Sequence, residues 1–264
     1  MSESVDAVRN LVNSIRAASR LPRIGEEYDQ SERKCPLCGG TFWRWLGRDK
    51  DQYSWVTTCG CAEAEKAKRA IDASGLSELL AVYTFDSFMT HDPFQKQMAR
   101  TVAAFVDAVL KNETPWMFVG GQSGCGKTHI CTAACGKLLE EHLAVKYMRW
   151  VSESRALKAV VMDKPVFETT IKPYQQAAIL YIDDLLKEGG GTKPTPAELT
   201  LAFDLIDSRL IQNKPTIISS EWTMDELLSF DQATFGRVSQ KAKGYLLNIA
   251  SDIAKNYRLD RKEN

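Results

Sequence analysis

The sequence predicts an α/β protein in which a domain with a central parallel sheet follows a small zinc-ribbon-like N-terminal module. Three observations carry that expectation. Short apolar runs alternate with helix-length amphipathic stretches over most of the chain. One of those runs, Trp116-Met117-Phe118-Val119, leads into Gly121-Gln122-Ser123-Gly124-Cys125-Gly126-Lys127-Thr128, which fits the phosphate-binding pattern G-x-x-x-x-G-K-[ST] between a strand and a helix. Four cysteines, Cys35, Cys38, Cys59 and Cys61, are set close together nearer the N-terminus.

Bulk properties narrow the function classes. A chain of 264 residues with 44% hydrophobic content has room for one large domain and a module beside it. Lys+Arg 34 balances Asp+Glu 34, so no global basic field announces nucleic acid, and any such contact would need a local patch. No apolar run approaches the roughly 18 residues of a membrane span, and residues 1–6 lack the basic start and apolar stretch of a secretory signal. A cytoplasmic protein with no membrane partner is expected. Seven cysteines is an odd number, and their clustering favours metal binding plus free thiols over a disulfide framework.

Taken in order, Val5, Val8, Leu11, Val12 and Ile15 recur at helical spacing, so residues 4–18 are expected to form an amphipathic helix. Its apolar stripe packs on the adjoining module or docks on another protein. Cys35-Pro36-Leu37-Cys38 and, twenty residues beyond it, Cys59-Gly60-Cys61 offer four thiolates to a tetrahedral zinc ion. Residues 41–45 and 54–58 read as two short strands joined by the charged turn 47–51. Trp43, Trp45 and Trp55, with Arg44 and Arg48, either pack this small core, stack on single-stranded nucleic acid or meet a protein. Residues 62–73 read as a solvated helix, and the boundary between residues 1–75 and 76–264 is placed near Gly75.

The larger domain begins with an extended aromatic segment at 83–88. A helix at 94–110 follows, with Met98, Val102, Phe105, Val106 and Val109 as its buried stripe. Beyond the glycine loop, a helix over 127–143, a strand at 145–148, a helix at 153–162 and a strand at 178–182 are expected. Thr195-Pro196-Ala197-Glu198 supplies an N-cap, a proline at the first turn and a capping-box glutamate, opening a helix to about 213. A strand at 215–219, a second capping box at Thr223-Met224-Asp225-Glu226, a helix at 232–243 and a strand at 245–249 complete the alternation.

The chemistry follows from the loop. Backbone N–H groups must converge on a polyphosphate with no Cβ in the way, and the helix N-terminus favours an anion. Lys127 then reaches the β- and γ-phosphates of ATP or ADP, Thr128 ligates Mg²⁺, and His129 adjoins the same nucleotide site. The apolar strand ending in Asp183-Asp184 supplies the other half: Asp183 holds Mg²⁺ and Asp184 orients or deprotonates the attacking water. Together the two motifs specify a nucleoside triphosphatase.

With those motifs stand Tyr83-Thr84-Phe85-Asp86-Ser87-Phe88, Ile179-Leu180-Tyr181-Ile182-Asp183-Asp184-Leu185, Lys214-Pro215-Thr216-Ile217-Ile218-Ser219-Ser220 and Lys255-Asn256-Tyr257-Arg258. On these residues the chain resembles the AAA+ ATPases of the DnaC/DnaI helicase-loader and IstB group from about residue 80 to 258. The cysteine module resembles the zinc-bearing N-terminal domains of DnaI-like loaders, phage and prophage types included. The resemblance implies a DnaB-type replicative helicase and single-stranded DNA as partners, self-association through the ATPase domain, and slow, partner-stimulated turnover. It implies a γ-phosphate sensor at the tip of the fourth strand, where this chain has Ser219-Ser220-Glu221. An ionised glutamate cannot donate a hydrogen bond, so Ser220 takes the task or sensing is altered. Arg237 sits where an arginine would reach a neighbouring subunit's nucleotide, and Arg258 is placed as a second sensor. The residues after 249 are too few for a C-terminal helical lid. Lys158, Lys164 and Lys172 are the first candidates for DNA contact. The competing readings are an IstB-type transposition ATPase, a small-molecule P-loop kinase, and an ATP-binding adaptor without hydrolysis.

Overall fold

Five of the apolar runs assemble into one parallel sheet. The computed structural model describes residues 43–48, 54–58, 60–187, 192–252 and 255–257, and the chain divides into two compact units, 1–66 and 67–264. In the first unit, β1 (Trp43–Arg48) pairs antiparallel with β2 (Ser54–Thr58), with a register shift between Trp45 and Gly47. The strand therefore runs into what the sequence suggested as a turn at 47–51. Helix α1 covers Gly60–Ser74. The expected helix at 4–18 and the cysteines Cys35, Cys38 and Cys59 lie outside the described residues, as does the side chain of Cys61.

The second unit continues with α2 (Ser77–Leu80), α3 (Pro93–Leu110), β3 (Trp116–Gly121), α4 (Lys127–Glu140), β4 (Val145–Arg149), α5 (Trp150–Ala159) and α6 (Lys164–Gln176). After these come β5 (Ile179–Asp183), α7 (Pro196–Ile211), β6 (Thr216–Ser220), α8 (Met224–Phe230), α9 (Gln232–Lys241) and β7 (Leu246–Ile249). The strand order is β4-β5-β6-β3-β7, every pair parallel. The three inner strands are buried along their whole length, whereas the edge strands β4 and β7 are only partly buried. That is the pattern of a sheet covered on both faces.

The period of two splits each inner strand between two apolar layers. Met117 and Val119 pack with Met98, Phe105, Ile130 and Leu138 of α3 and α4. Trp116 and Phe118 face the other way, onto Leu157, Ile171, Leu205 and Phe235 of α5, α6, α7 and α9. Helix starts follow the caps in the sequence: capping boxes join Asp92 to Gln95, Thr195 to Glu198 and Thr223 to Glu226.

Two further departures from expectation have a local cause. Residues 83–88 form turns rather than an extended segment, because Ser87 N–H donates to Thr84 Oγ1 at 3.1 Å while Thr84 N–H donates to Ser87 Oγ at 3.0 Å. Helix α6 was not foreseen, and it holds Pro165, Thr169, Thr170 and Pro173. Pro165 sits in the first turn, where no N–H is required, and both threonine hydroxyls bond back to the carbonyls four residues earlier, at 2.8 Å each.

At the N-terminal ends of the strands, Arg209 is 0% exposed. Its guanidinium donates to Thr216 Oγ1 at 2.8 Å and to the carbonyls of Tyr174, Gln175, Ala177 and Pro215. Burial pulls its pKa down to about 10, and it remains a cation at neutral pH. It ties α7 to the end of α6 and the start of β6.

Candidate functional site

The opposite ends of the strands carry the site. The loop between β3 and α4 needs its glycines for two stated reasons. At Gly121, φ is +126° and a Cβ would lie 2.1 Å from Ile249 O, so backbone already occupies that place. Gly126, at φ +93°, caps α4 in the left-handed region. Lys127 is 5% exposed, and its ammonium donates to the carbonyls of Gly121 and Gln122 at 2.7 Å each. It is thereby held against the loop it would serve. The segment after β7 borders the same loop: Gln122 Nε2 donates to Asp252 O at 2.7 Å, Asp252 N–H returns to Gln122 Oε1 at 2.5 Å, and Tyr257 N–H donates to Gly124 O at 3.1 Å.

Asp183, the last residue of β5, is 5% exposed and collects hydroxyl donors. Thr128 Oγ1 reaches Oδ1 at 3.2 Å, Tyr181 OH at 2.6 Å and Ser219 Oγ at 2.5 Å, while Tyr147 OH reaches Oδ2 at 3.0 Å. Thr128 is the second residue of α4, so this contact joins the glycine loop to the strand tip. Burial first, and then the charge of Asp183, push both tyrosine hydroxyls well above their ordinary pKa. They stay protonated and remain donors. The same two causes, in the same order, raise the buried thiols of Cys131 and Cys135, which excludes them as nucleophiles near neutral pH. A magnesium ion prefers oxygen ligands and keeps several waters. The Thr128 hydroxyl and the Asp183 carboxylate are such a donor set.

Asp184 is set by an unusual turn. Both Asp184 and Leu186 have positive φ, 57° and 58°, and the turn is pinned to the tip of β6. Asp184 N–H donates to Ser219 Oγ at 3.0 Å, Leu185 N–H to Ser219 O at 2.8 Å, Ser220 Oγ to Leu185 O at 2.8 Å and Trp222 Nε1 to Leu186 O at 3.0 Å. The chain then returns Lys187, whose ammonium lies 2.9 Å from Asp184 Oδ2 and 2.9 Å from Glu221 Oε1. Burial acts to raise the Glu221 pKa, but bonding to Lys187 outweighs it and holds the carboxyl below its ordinary range, with Lys127 and the Ser123 hydroxyl of the loop adding to the effect. Burial would lower the Lys187 pKa, but Asp184 and Glu221 outweigh it and raise it.

The remaining sequence candidates fall into three groups. His129, one residue beyond Thr128, faces the 83–88 turns: Nε2 lies 2.9 Å from Thr84 O and 3.1 Å from Ser87 Oγ, between the rings of Tyr83 and Phe88. Burial lowers its pKa, against a smaller opposing effect of the Thr84 carbonyl, so the ring is neutral at pH 7. Arg237 pairs with Asp207 at 2.6 Å in an open groove between α7 and α9, and Lys158 pairs with Glu198 at 2.8 Å. Arg258 lies outside the described residues. Sequence reasoning missed Tyr147, Tyr181 and Lys187. The period of two gave a signal for Tyr181, two residues before Asp183 on one face of β5. Tyr147 stands opposite Tyr181 only through the β4–β5 register.

Comparisons with known proteins bear on the family and the fold. The family model described as the bacterial DnaA ATPase domain matches residues 79–241. The phage-like element PBSX protein XkdC of Bacillus subtilis (strain 168) is 28% identical over 89% of this chain and 89% of its own length. The uncharacterized protein YqaM of the same strain is 30% identical over 80% of this chain and 68% of its own. Among solved structures, the DnaC helicase loader superposes with a TM-score of 0.52 at 18% identity, covering 70% of this chain and 99% of that one.

Proposed function

This chain belongs to the family of bacterial DnaA ATPase domains, which are AAA+ ATPases, and from that premise we propose that it is an ATP-dependent helicase loader. In this reading it binds a DnaB-type replicative helicase and delivers it onto single-stranded DNA during replication initiation. The observation that carries the ATPase half is the 3.2 Å contact between Thr128 Oγ1 and Asp183 Oδ1, which brings the loop hydroxyl and the strand-tip carboxylate to one point. The likeness to a fold whose solved example is a helicase loader supports the other half.

Each residue has a stated task. The loop residues Gly121 to Thr128 wrap the polyphosphate, and Lys127 exchanges its two carbonyl partners for phosphate oxygens. Thr128 and Asp183 hold Mg²⁺, which when bound neutralises phosphate charge and orients the terminal group. Tyr147, Tyr181 and Ser219 keep Asp183 aimed at that point. Asp184 orients the attacking water once its carboxylate leaves Lys187. Arg237 acts on the nucleotide of an adjoining copy, and Arg258 approaches the phosphates of its own. Residues 1–75, with Cys35, Cys38, Cys59 and Cys61 around zinc, grip the helicase, while residues 76–264 hydrolyse ATP.

A second reading, an ATP-binding adaptor with negligible turnover, is favoured by one observation: Asp184 is ion-paired to Lys187. Co-purification of the full chain with its cognate replicative helicase tests the loader reading, and absence of a complex in every nucleotide state would sink it. Steady-state phosphate release with and without helicase and single-stranded DNA separates loader from adaptor. The loader is stimulated; the adaptor is silent in all combinations.

A further inference from the structure

The ends of β5 and β6 frame the space in front of the glycine loop, and nearly every side-chain proton they carry is already committed. Ser219 gives its single proton to Asp183, and Ser220 gives its own to the Leu185 carbonyl. Trp222 Nε1–H is bonded to the Leu186 carbonyl. Asp183, Asp184 and Glu221 are acceptors when ionised. Among the described residues of these two strand ends, Lys187 alone has more protons than partners: three N–H groups against two carboxylates. Its position is enforced by structure, since two left-handed residues, Asp184 and Leu186, turn the chain back to the site. Glu221, which holds Lys187, also touches the loop through Ser123.

We propose that Lys187 is the residue with which this chain distinguishes a bound nucleoside triphosphate from a diphosphate, its ammonium turning from the Asp184–Glu221 pair to the terminal phosphate. The inference deepens the nucleotide-site reading above and rests on it. A terminal phosphate brings more charge to the ammonium than either carboxylate, and charge-assisted bonds of this kind are strong. A ligand shifts such an arrangement only by binding one state better than the other. The triphosphate does so here, because the diphosphate lacks the group that draws Lys187 away. The same movement frees Asp184, so recognition of the terminal phosphate and release of the carboxylate are one event. Glu221 then has a role: it parks the cation at the mouth of the loop.

The test is calorimetric titration of the full chain with ADP and with a β,γ-methylene ATP analogue, each with Mg²⁺. Lys187→Met is expected to weaken analogue binding about 10-fold while ADP affinity stays within about twofold, and Lys187→Arg is expected to restore most of the preference. Glu221→Gln, which removes one competitor for the ammonium, is expected to shift the preference the other way, towards the triphosphate. A merely structural ion pair would move both substitutions in the same direction. Equal losses for the two nucleotides in Lys187→Met, or a Glu221→Gln preference that falls or stays constant, would overturn the proposal. If Lys187→Met fails to fold, Glu221→Gln decides alone. Should Lys127→Ala bind ADP as the natural chain does, the nucleotide-site reading itself fails, and the role of Lys187 fails with it.

Discussion

Arg209 and Asp183 are both charged groups withdrawn from water, at opposite ends of the same sheet, and they are satisfied by opposite means. Around Arg209, at the N-terminal ends of the strands, four main-chain carbonyls and one threonine hydroxyl take up the guanidinium. Carbonyl oxygens can only accept, so no other arrangement is open to them. Around Asp183, at the C-terminal ends, the partners are four hydroxyls, each of which can turn and serve as donor or acceptor. The first shell fixes one state; the second can be re-formed around a cation. In an open α/β sheet ligands bind beyond the carboxyl ends of the strands, and the difference between the two shells gives that rule a chemical content here.

The largest effect is expected at Arg209. Arg209→Met leaves five acceptors without their donor, and a loss of about 3–5 kcal/mol of stability is expected, as for other buried charge networks broken on one side. Chemical denaturation checks it, and nucleotide affinity below the melting transition should be unchanged. At the other end Asp183→Asn is nearly isosteric, so stability should fall by only about 1–2 kcal/mol, while the Mg²⁺ dependence of nucleotide binding disappears. Smaller still is Tyr147→Phe, which removes one of four donors. About 1 kcal/mol is expected, read as a modest drop in melting temperature with magnesium affinity weakened less than in Asp183→Asn. The smallest effect concerns His129. Its pKa in the fold lies below the ordinary 6.5, so the unfolded chain takes up this proton more readily. The stability it contributes is complete above pH 6.5 and is lost as pH falls through the lower folded value. Melting curves between pH 7.5 and 5 should show that slope reduced in His129→Gln.

Much of the site was legible because it is local in sequence. The loop from Gly121 to Thr128 and the run ending in Asp183-Asp184 each carry their own spacing and flanking pattern, and the parallel-sheet alternation placed them on one protein. What escaped depends on pairing or on backbone conformation. Tyr147 meets Asp183 only once β4 lies beside β5 in a fixed register. Lys187 reaches the site only because Asp184 and Leu186 adopt positive φ, which no propensity for aspartate or leucine would announce. Ser220 stands at the strand tip as expected, yet its proton points to Leu185 O, a choice made by the turn packed against it. Helix α6 contains two prolines, of which Pro165 is tolerated in the first turn while Pro173 lies inside the helix.

If the loop and the β5 tip form one Mg²⁺-dependent ATP site, ATP titration with and without Mg²⁺ will reveal it. The natural chain should bind ATP more tightly with the metal, Asp183→Asn should bind it equally in both conditions, and Lys127→Ala should lose affinity by about 100-fold or more. Undiminished, metal-insensitive binding by all three proteins would contradict it.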